Sequence, residues 1–315
     1  MKVAVLMIAH KNKEQIERLI SVLQHPSIDI YIHLDKKSEL SPSDFQHQNV
    51  RFTDKRIDIT LFDFSMIEAE MELIQTASSY EKYEYYILLS GQCYPLRHIN
   101  DIYDYLCRTY PKPLIEVISP ERVTKFRKQF QYSYAMKKTR TVFSSKINKK
   151  FPLLYHYLWK LPGGFIFLVT LVKTSILGSP QKRLNDMNID PYFGPQWWIL
   201  PDTVIQEITD LYKNKRLCAC MRDCYSSDEP FFQTAIMIYA DRFGIALNEK
   251  GYYLNKKWFT IFSQGHPITL TRECFDQMKS SKMLFARKFD IEKDSAILDM
   301  LDKYHLDLLN EKIGD

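Results

Sequence analysis

The sequence predicts an α/β protein built on a mostly parallel central sheet flanked by helices. Three stretches carry that expectation. Residues 3–9, VAVLMIA, form an unbroken apolar run, the pattern of a strand buried on both faces. The next segment, KEQIERLISVL, sets Ile16, Leu19, Ile20 and Leu23 on one helical face before HPS interrupts it. DIYIHLDKKS then reads as a second strand running into a charged cluster at Asp35. Strand, helix and strand within about 35 residues make a βαβ unit, whose ligands sit beyond the C-terminal ends of its strands. His10 and Asp35, each just past a strand, are therefore expected to face a site, although His10 reads equally well as a surface loop residue.

Further elements follow in order. Phe64 to Ser79 is an amphipathic helix, and EYYILLSGQCYPLR is a buried strand entering a turn at Ser90 and Gly91. LIEVIS, residues 114–119, is a further strand that buries Glu116 among apolar neighbours. A carboxylate there needs a partner, and Lys125 and Arg127 lie just downstream. PYFGPQWWILP sets two tryptophans beside Gly194, and PDTVIQEITDLY is a helix opened by Pro201 and Asp202.

Length and composition narrow the class. A chain of 315 residues with 45% hydrophobic residues can bury a sizeable core, as one large α/β domain over 1–315. A net charge of +5 gives no polycation that would point to nucleic acid. The basic excess is local: eleven Lys and Arg lie between Glu121 and Lys160 against one acid. With the apolar stretch after it, this forms an insertion at about 121–180 that reads as a solvated loop and core segment or as a peripheral membrane contact. Six cysteines form no spaced disulfide framework, which favours a reducing, cytoplasmic setting. Cys218, Cys220 and Cys224 lack the fourth ligand of a structural zinc site. There is no glycine-rich phosphate loop, and no Asp-x-Asp pair to hold a divalent cation on a diphosphate.

The segment YSSDEPFFQT, 225–234, is the strongest candidate for chemistry. Ser226 and Glu229 have capping-box spacing and Pro230 suits a first helical turn, so Glu229 is expected at a helix mouth. There the backbone dipoles favour the ionised carboxylate, the form that accepts a proton from a hydroxyl. A capping box alone would account for the same residues.

Taken together, MIAHK, YIHLDKKS, YYILLSGQCYPL, YFGPQWWIL, YSSDEPFFQT and LFARKFD resemble, in this order, the core-2/I-branching β-1,6-N-acetylglucosaminyltransferase family, which includes the peptide xylosyltransferases. The resemblance implies a Rossmann-like GT-A type glycosyltransferase fold. It also implies inverting, metal-independent transfer from a UDP-sugar, most often of N-acetylglucosamine, to a hydroxyl of a glycan acceptor. Glu229 would be the general base and Lys288, beside Arg287, a cation on the UDP diphosphate. Asp35 and Met7 would line the uridine pocket. Glu116, Lys125, Arg127 and Trp258 would contact the acceptor. Two departures stand out. Leu61 and Phe62 occupy the place of the family's usual Trp-Gly pair, and His266 stands near the second diphosphate cation, a role open to Lys257, Arg287 or His266. Luminal relatives carry a membrane anchor and disulfides that are not evident here, so the expectation is a bacterial enzyme at the cytoplasmic membrane face, building a surface glycan on an acceptor that could be lipid-linked. A non-catalytic glycan-binding scaffold of the same fold is the alternative.

Overall fold

A computed structural model describes residues 1–122, 178–224, 226–264 and 266–314. Nearly all of the 121–180 insertion, including Lys125 and Arg127, lies outside the described residues. The first half alternates as the periodicity requires: β1 (Val3–Ala9), α1 (Lys13–Val22), β2 (Ile28–Leu34), β3 (Val50–Phe52), α2 (Ser65–Tyr80) and β4 (Tyr85–Ser90). After them come β5 (Cys93–Pro95), α3 (Ile99–Thr109), β6 (Glu116–Ile118), α4 (Pro180–Asn185), β7 (Ile199–Pro201), α5 (Asp202–Tyr212), α6 (Lys215–Arg222) and α7 (Phe231–Ile238). The chain closes with β8 (Tyr252–Leu254), β9 (Trp258–Phe259), the hairpin β10 (Phe262–Ser263) and β11 (His266–Pro267), α8 (Phe275–Ser280), β12 (Phe285–Arg287) and α9 (Ala296–Gly314).

The central sheet runs β3-β2-β1-β4-β7, parallel except for β7, which is antiparallel to β4. Strand β1 pairs on both sides and buries all seven residues, as a continuous apolar run demands. Helix α1 has no side-chain cap, because Asn12 donates instead to Asp290 at 3.0 Å. Packing holds it: Ile16, Leu19, Ile20 and Leu23 are fully buried, and at about 1.5–3 kcal/mol each this far exceeds the ~1 kcal/mol of a cap. Helix α2 packs on β1 and β2 through Ile67, Met71, Ile74 and their neighbours. One acid, Glu70, lies on that buried face.

A second sheet, β5-β12-β9, places the LFARKFD segment antiparallel to the strand after Gly91 and parallel to Trp258–Phe259. Strand β6 pairs with β8, and an isolated bridge joins Ile118 to Phe193. Among the described residues, no helix is long and apolar enough to cross a membrane.

Candidate active site

The C-terminal ends of β1, β2 and β4 carry one side of the site. Asp35 follows β2; its amide donates to the Ala9 carbonyl at 2.9 Å, which locks the β1 and β2 ends together. Its carboxylate accepts from the Lys37 amide at 2.9 Å and pairs with the Lys37 ammonium at 3.2 Å. His10 lies beside it at the surface, where partial desolvation by its neighbours, with help from Lys11 and Lys37, lowers its pKa against the pull of Asp35. The turn after β4 is buttressed by Gln15, fully buried, whose amide donates to the Gly91 carbonyl at 2.7 Å and the Phe289 carbonyl at 3.2 Å. Ile291 donates back to Gln15 at 2.8 Å, and Phe289 donates to the Gln92 carbonyl at 2.9 Å. Lys11 adds an ion pair to Asp290 at 2.7 Å. Lys288, next to Phe289 in this network, is half-buried, with its carbonyl accepting from the Leu270 amide at 2.8 Å.

Glu229 occupies the turn before α7, but not through a capping box. Helix α7 begins at Phe231 with Pro230 as N-cap and no side-chain cap bond. Ser226 takes a left-handed φ of 58°, and its amide donates to the Phe62 carbonyl at 3.0 Å. Its hydroxyl serves Asp228. Turn geometry therefore overrides the capping signal, and Glu229 lies one residue before the N-cap. The Glu229 amide donates to Ser226, and its carbonyl accepts from the Gly194 amide at 3.1 Å.

Phe62 explains one departure from the family pattern. At the position where the resemblance leads one to expect glycine, it has φ 65°, in the left-handed region that glycine adopts most readily. Leu61, in the tryptophan's place, is 71% exposed.

The loop 191–198 joins these parts. A Cβ on Gly194 would lie 2.1 Å from the Glu116 carbonyl oxygen, so only glycine lets the loop approach β6 while holding Glu229. Gln233 donates to the Pro195 carbonyl at 2.9 Å, and Gln196 donates to Glu70 at 2.7 Å. The Arg287 guanidinium lies 4.2 Å over the Trp197 ring. Glu70 is 0% exposed, and burial drives its carboxyl well above the usual range. Donation from Gln196 and the nearby Trp198 indole dipole oppose this, whereas the charge of Asp228 reinforces it. Burial likewise pushes Asp228 up to about 6, against donation from its own amide, the Ser226 hydroxyl and the Glu229 amide.

Other expected residues fall differently. Met7 lies inside β1, 0% exposed and paired with Ile32 and Leu89, not at the strand's open end. Glu116 forms an ion pair with Lys256, 2.6 Å away; Lys125 and Arg127 lie outside the described residues. Trp258 is 3% exposed and stacked on Phe285 at 5.4 Å, which leaves little ring face for a sugar. Arg287 turns inward, hydrogen-bonded to Cys93, and burial lowers its pKa. Of the alternatives for the second cation, Lys257 sits 5.3 Å over the Tyr105 ring, while His266 is exposed on the β10–β11 hairpin. The three close cysteines donate to the carbonyls of Tyr212, Pro180 and Cys220. Among the described residues no group of three or more His, Cys, Asp or Glu is placed to hold a metal ion. A cavity of about 740 Å³ beside Ser119, Tyr192 and Gly251 opens past the end of β6, and Glu229, Asp35 and Lys288 are not in its wall.

Gln15, Glu70, Gln196 and Asp228 escaped the sequence reading as site residues. Glu70 alone left a signal there, as an acid interrupting the apolar face that Ile67, Leu73, Ile74 and Ala77 define.

In sequence the chain is similar to a zebrafish (Danio rerio) protein, beta-1,3-galactosyl-O-glycosyl-glycoprotein beta-1,6-N-acetylglucosaminyltransferase 4, at 24% identity over 237 residues. That alignment takes in 73% of this chain and 48% of the relative, so the chain spans about half the relative's length. The Core-2/I-Branching enzyme family model matches residues 3–253, from β1 through the Glu229 turn to β8, and leaves Trp258, Arg287 and Lys288 beyond the match. Because that match runs over well more than half of its length, the chain belongs to the Core-2/I-branching enzyme family.

Proposed function

We propose that this protein is a UDP-sugar-dependent glycosyltransferase of the GT-A type, inverting and independent of metal, with N-acetylglucosamine as its first candidate cargo. The acceptor is a glycan hydroxyl, and surface polysaccharide or glycoconjugate synthesis is the setting that suits it. In this mechanism the Glu229 carboxylate takes the acceptor hydroxyl proton as the acceptor oxygen bonds to the anomeric carbon. The bond from that carbon to the diphosphate breaks in the same step, and UDP departs with the electron pair. Lys288 meets the charge on the diphosphate, and Asp35 holds the uridine side. General-base transfer of this kind contributes about 10²–10⁴-fold, and preorganised charge around the leaving group contributes more.

The observation that supports this most is the fixing of Glu229 from two directions. Gly194 holds its carbonyl and Phe62 holds the start of its turn, while the Gln15 amide ties the turn after β4 to Phe289, next to Lys288. Thermal-shift screening against UDP-, GDP- and CMP-sugars, with and without EDTA, tests the proposal, because a ligand of the native state raises Tm. Stabilisation by a UDP-sugar that survives EDTA is expected. Loss of that stabilisation in EDTA contradicts the metal-free reading, and no response from well-folded protein favours the non-catalytic scaffold.

A further inference from the structure

The buried acid Glu70 does no work in the transfer step as written, yet it terminates a chain of contacts that begins at Glu229. The Glu229 carbonyl is held by the Gly194 amide; two residues on, Gln196 gives its side-chain amide to Glu70 Oε1 at 2.7 Å. The other carboxyl oxygen, Oε2, is buried with no hydrogen-bond partner among the described residues. So is Oδ1 of Asp228, the residue before Glu229. The Trp198 indole N–H lies close to Glu70 but closes no bond of normal geometry. A fully buried carboxyl near a second, partly buried carboxyl is costly, since each unsatisfied oxygen loses its water and two like charges repel. A helix whose inner face is otherwise apolar would be more stable with leucine here, so this cost needs a return.

We propose that Glu70 is a positioning residue for Glu229: it anchors the Gln196 end of the loop whose Gly194 end holds the Glu229 carbonyl. The proposal rests on the reading of Glu229 as the acceptor-activating base. Burial raises the pKa of Glu70 and so favours its neutral, protonated form. Neutral, it accepts from Gln196 through its carbonyl oxygen and adds no second negative charge beside Asp228, the charged group that acts on it. Arg287 packs on Trp197, the residue after Gln196, so the same loop also meets the strand that leads to Lys288.

The test compares Glu70→Gln, which keeps a neutral acceptor for Gln196, with Glu70→Met, which keeps the volume and removes the acceptor. The first readout is hydrogen exchange of the Gly194 amide and needs no activity. Losing one buried hydrogen bond should speed it about tenfold in Glu70→Met and leave it within about threefold in Glu70→Gln. The second is turnover: kcat falls by about 10–10²-fold in Glu70→Met with donor KM nearly unchanged, and Glu70→Gln restores it. If Glu70→Met does not fold, Gln196→Leu cuts the same bond from the other end, with the same expected exchange. Unchanged Gly194 exchange in a folded variant lacking this bond overturns the proposal, as does a Glu70→Gln that loses as much turnover as Glu70→Met. Faster exchange in a wild-type background that transfers no sugar from any donor would leave the anchor standing and overturn the role of Glu229 as base.

Discussion

Replacing Gly194 by alanine isolates the contact that places Glu229. The added Cβ would sit 2.1 Å from the Glu116 carbonyl oxygen and 3.0 Å from Gln233 Nε2, while real Cβ contacts essentially never fall below 3.0 Å. Loop and β6 must therefore part by about 0.9 Å, the difference between those distances. The Glu116 oxygen is backbone, so a side-chain rotation cannot relieve that clash. The Gly194 amide is the donor to the Glu229 carbonyl, and the movement is transmitted to Glu229, the proposed base. A displacement of about 1 Å in a reacting geometry costs on the order of 10²-fold in rate. Overpacking of this kind costs about 1–3 kcal/mol of stability, a fall of roughly 1.5–5 °C in Tm for a chain of 315 residues. Steady-state transfer kinetics and a melting curve on the same preparation measure both effects. A Gly194→Ala protein with wild-type kcat and Tm would refute the reasoning; one that loses stability and keeps kcat would show that the loop does not position Glu229.

Other consequences follow from the same geometry. Lys288→Ala should raise donor KM and weaken the thermal shift given by UDP while leaving the apo Tm nearly unchanged; unchanged donor binding would remove Lys288 from the diphosphate site. Trp258→Ala should cost about 3–5 kcal/mol, because a buried ring stacked on Phe285 leaves a cavity, and Trp258→Phe should leave acceptor KM unchanged. A raised acceptor KM in the phenylalanine variant would restore Trp258 to the acceptor site. Asp228, pushed up to about 6, binds its proton more tightly folded than unfolded, so its share of stability is full below about pH 3.8 and is lost as pH rises through 6. Asp228→Asn should therefore gain stability relative to wild type over that window, which melting curves from pH 4 to 7 would show; a constant difference would contradict the shift.

Local signals survived into the structure where packing agrees with them. The apolar run at residues 3–9, the spacing of Ile16, Leu19, Ile20 and Leu23, and the strand ending at Asp35 each describe a burial pattern, and burial decides those elements. The Ser226–Glu229 capping box did not survive, because the Phe62 carbonyl, 164 positions away in sequence, claims the Ser226 amide and a left-handed turn results. Nothing near Glu116 in sequence marks Lys256 as its partner; strand β8 brings it there by pairing with β6. Trp258 belongs to the same class, since its stacking on Phe285 depends on strands β9 and β12 lying side by side. The anchors Gln15, Gln196 and Asp228 look like ordinary polar residues in sequence, and only the meeting of distant backbone groups gives them a role.

The most direct test of the account is the Glu229→Gln variant, assayed for donor binding and for transfer in parallel. An amide keeps the shape of the carboxylate and cannot take the acceptor proton at neutral pH. Wild-type Tm, a wild-type thermal shift with the UDP-sugar, and transfer reduced by at least about 10²-fold are expected. Undiminished transfer by a folded, donor-binding Glu229→Gln protein would contradict the account.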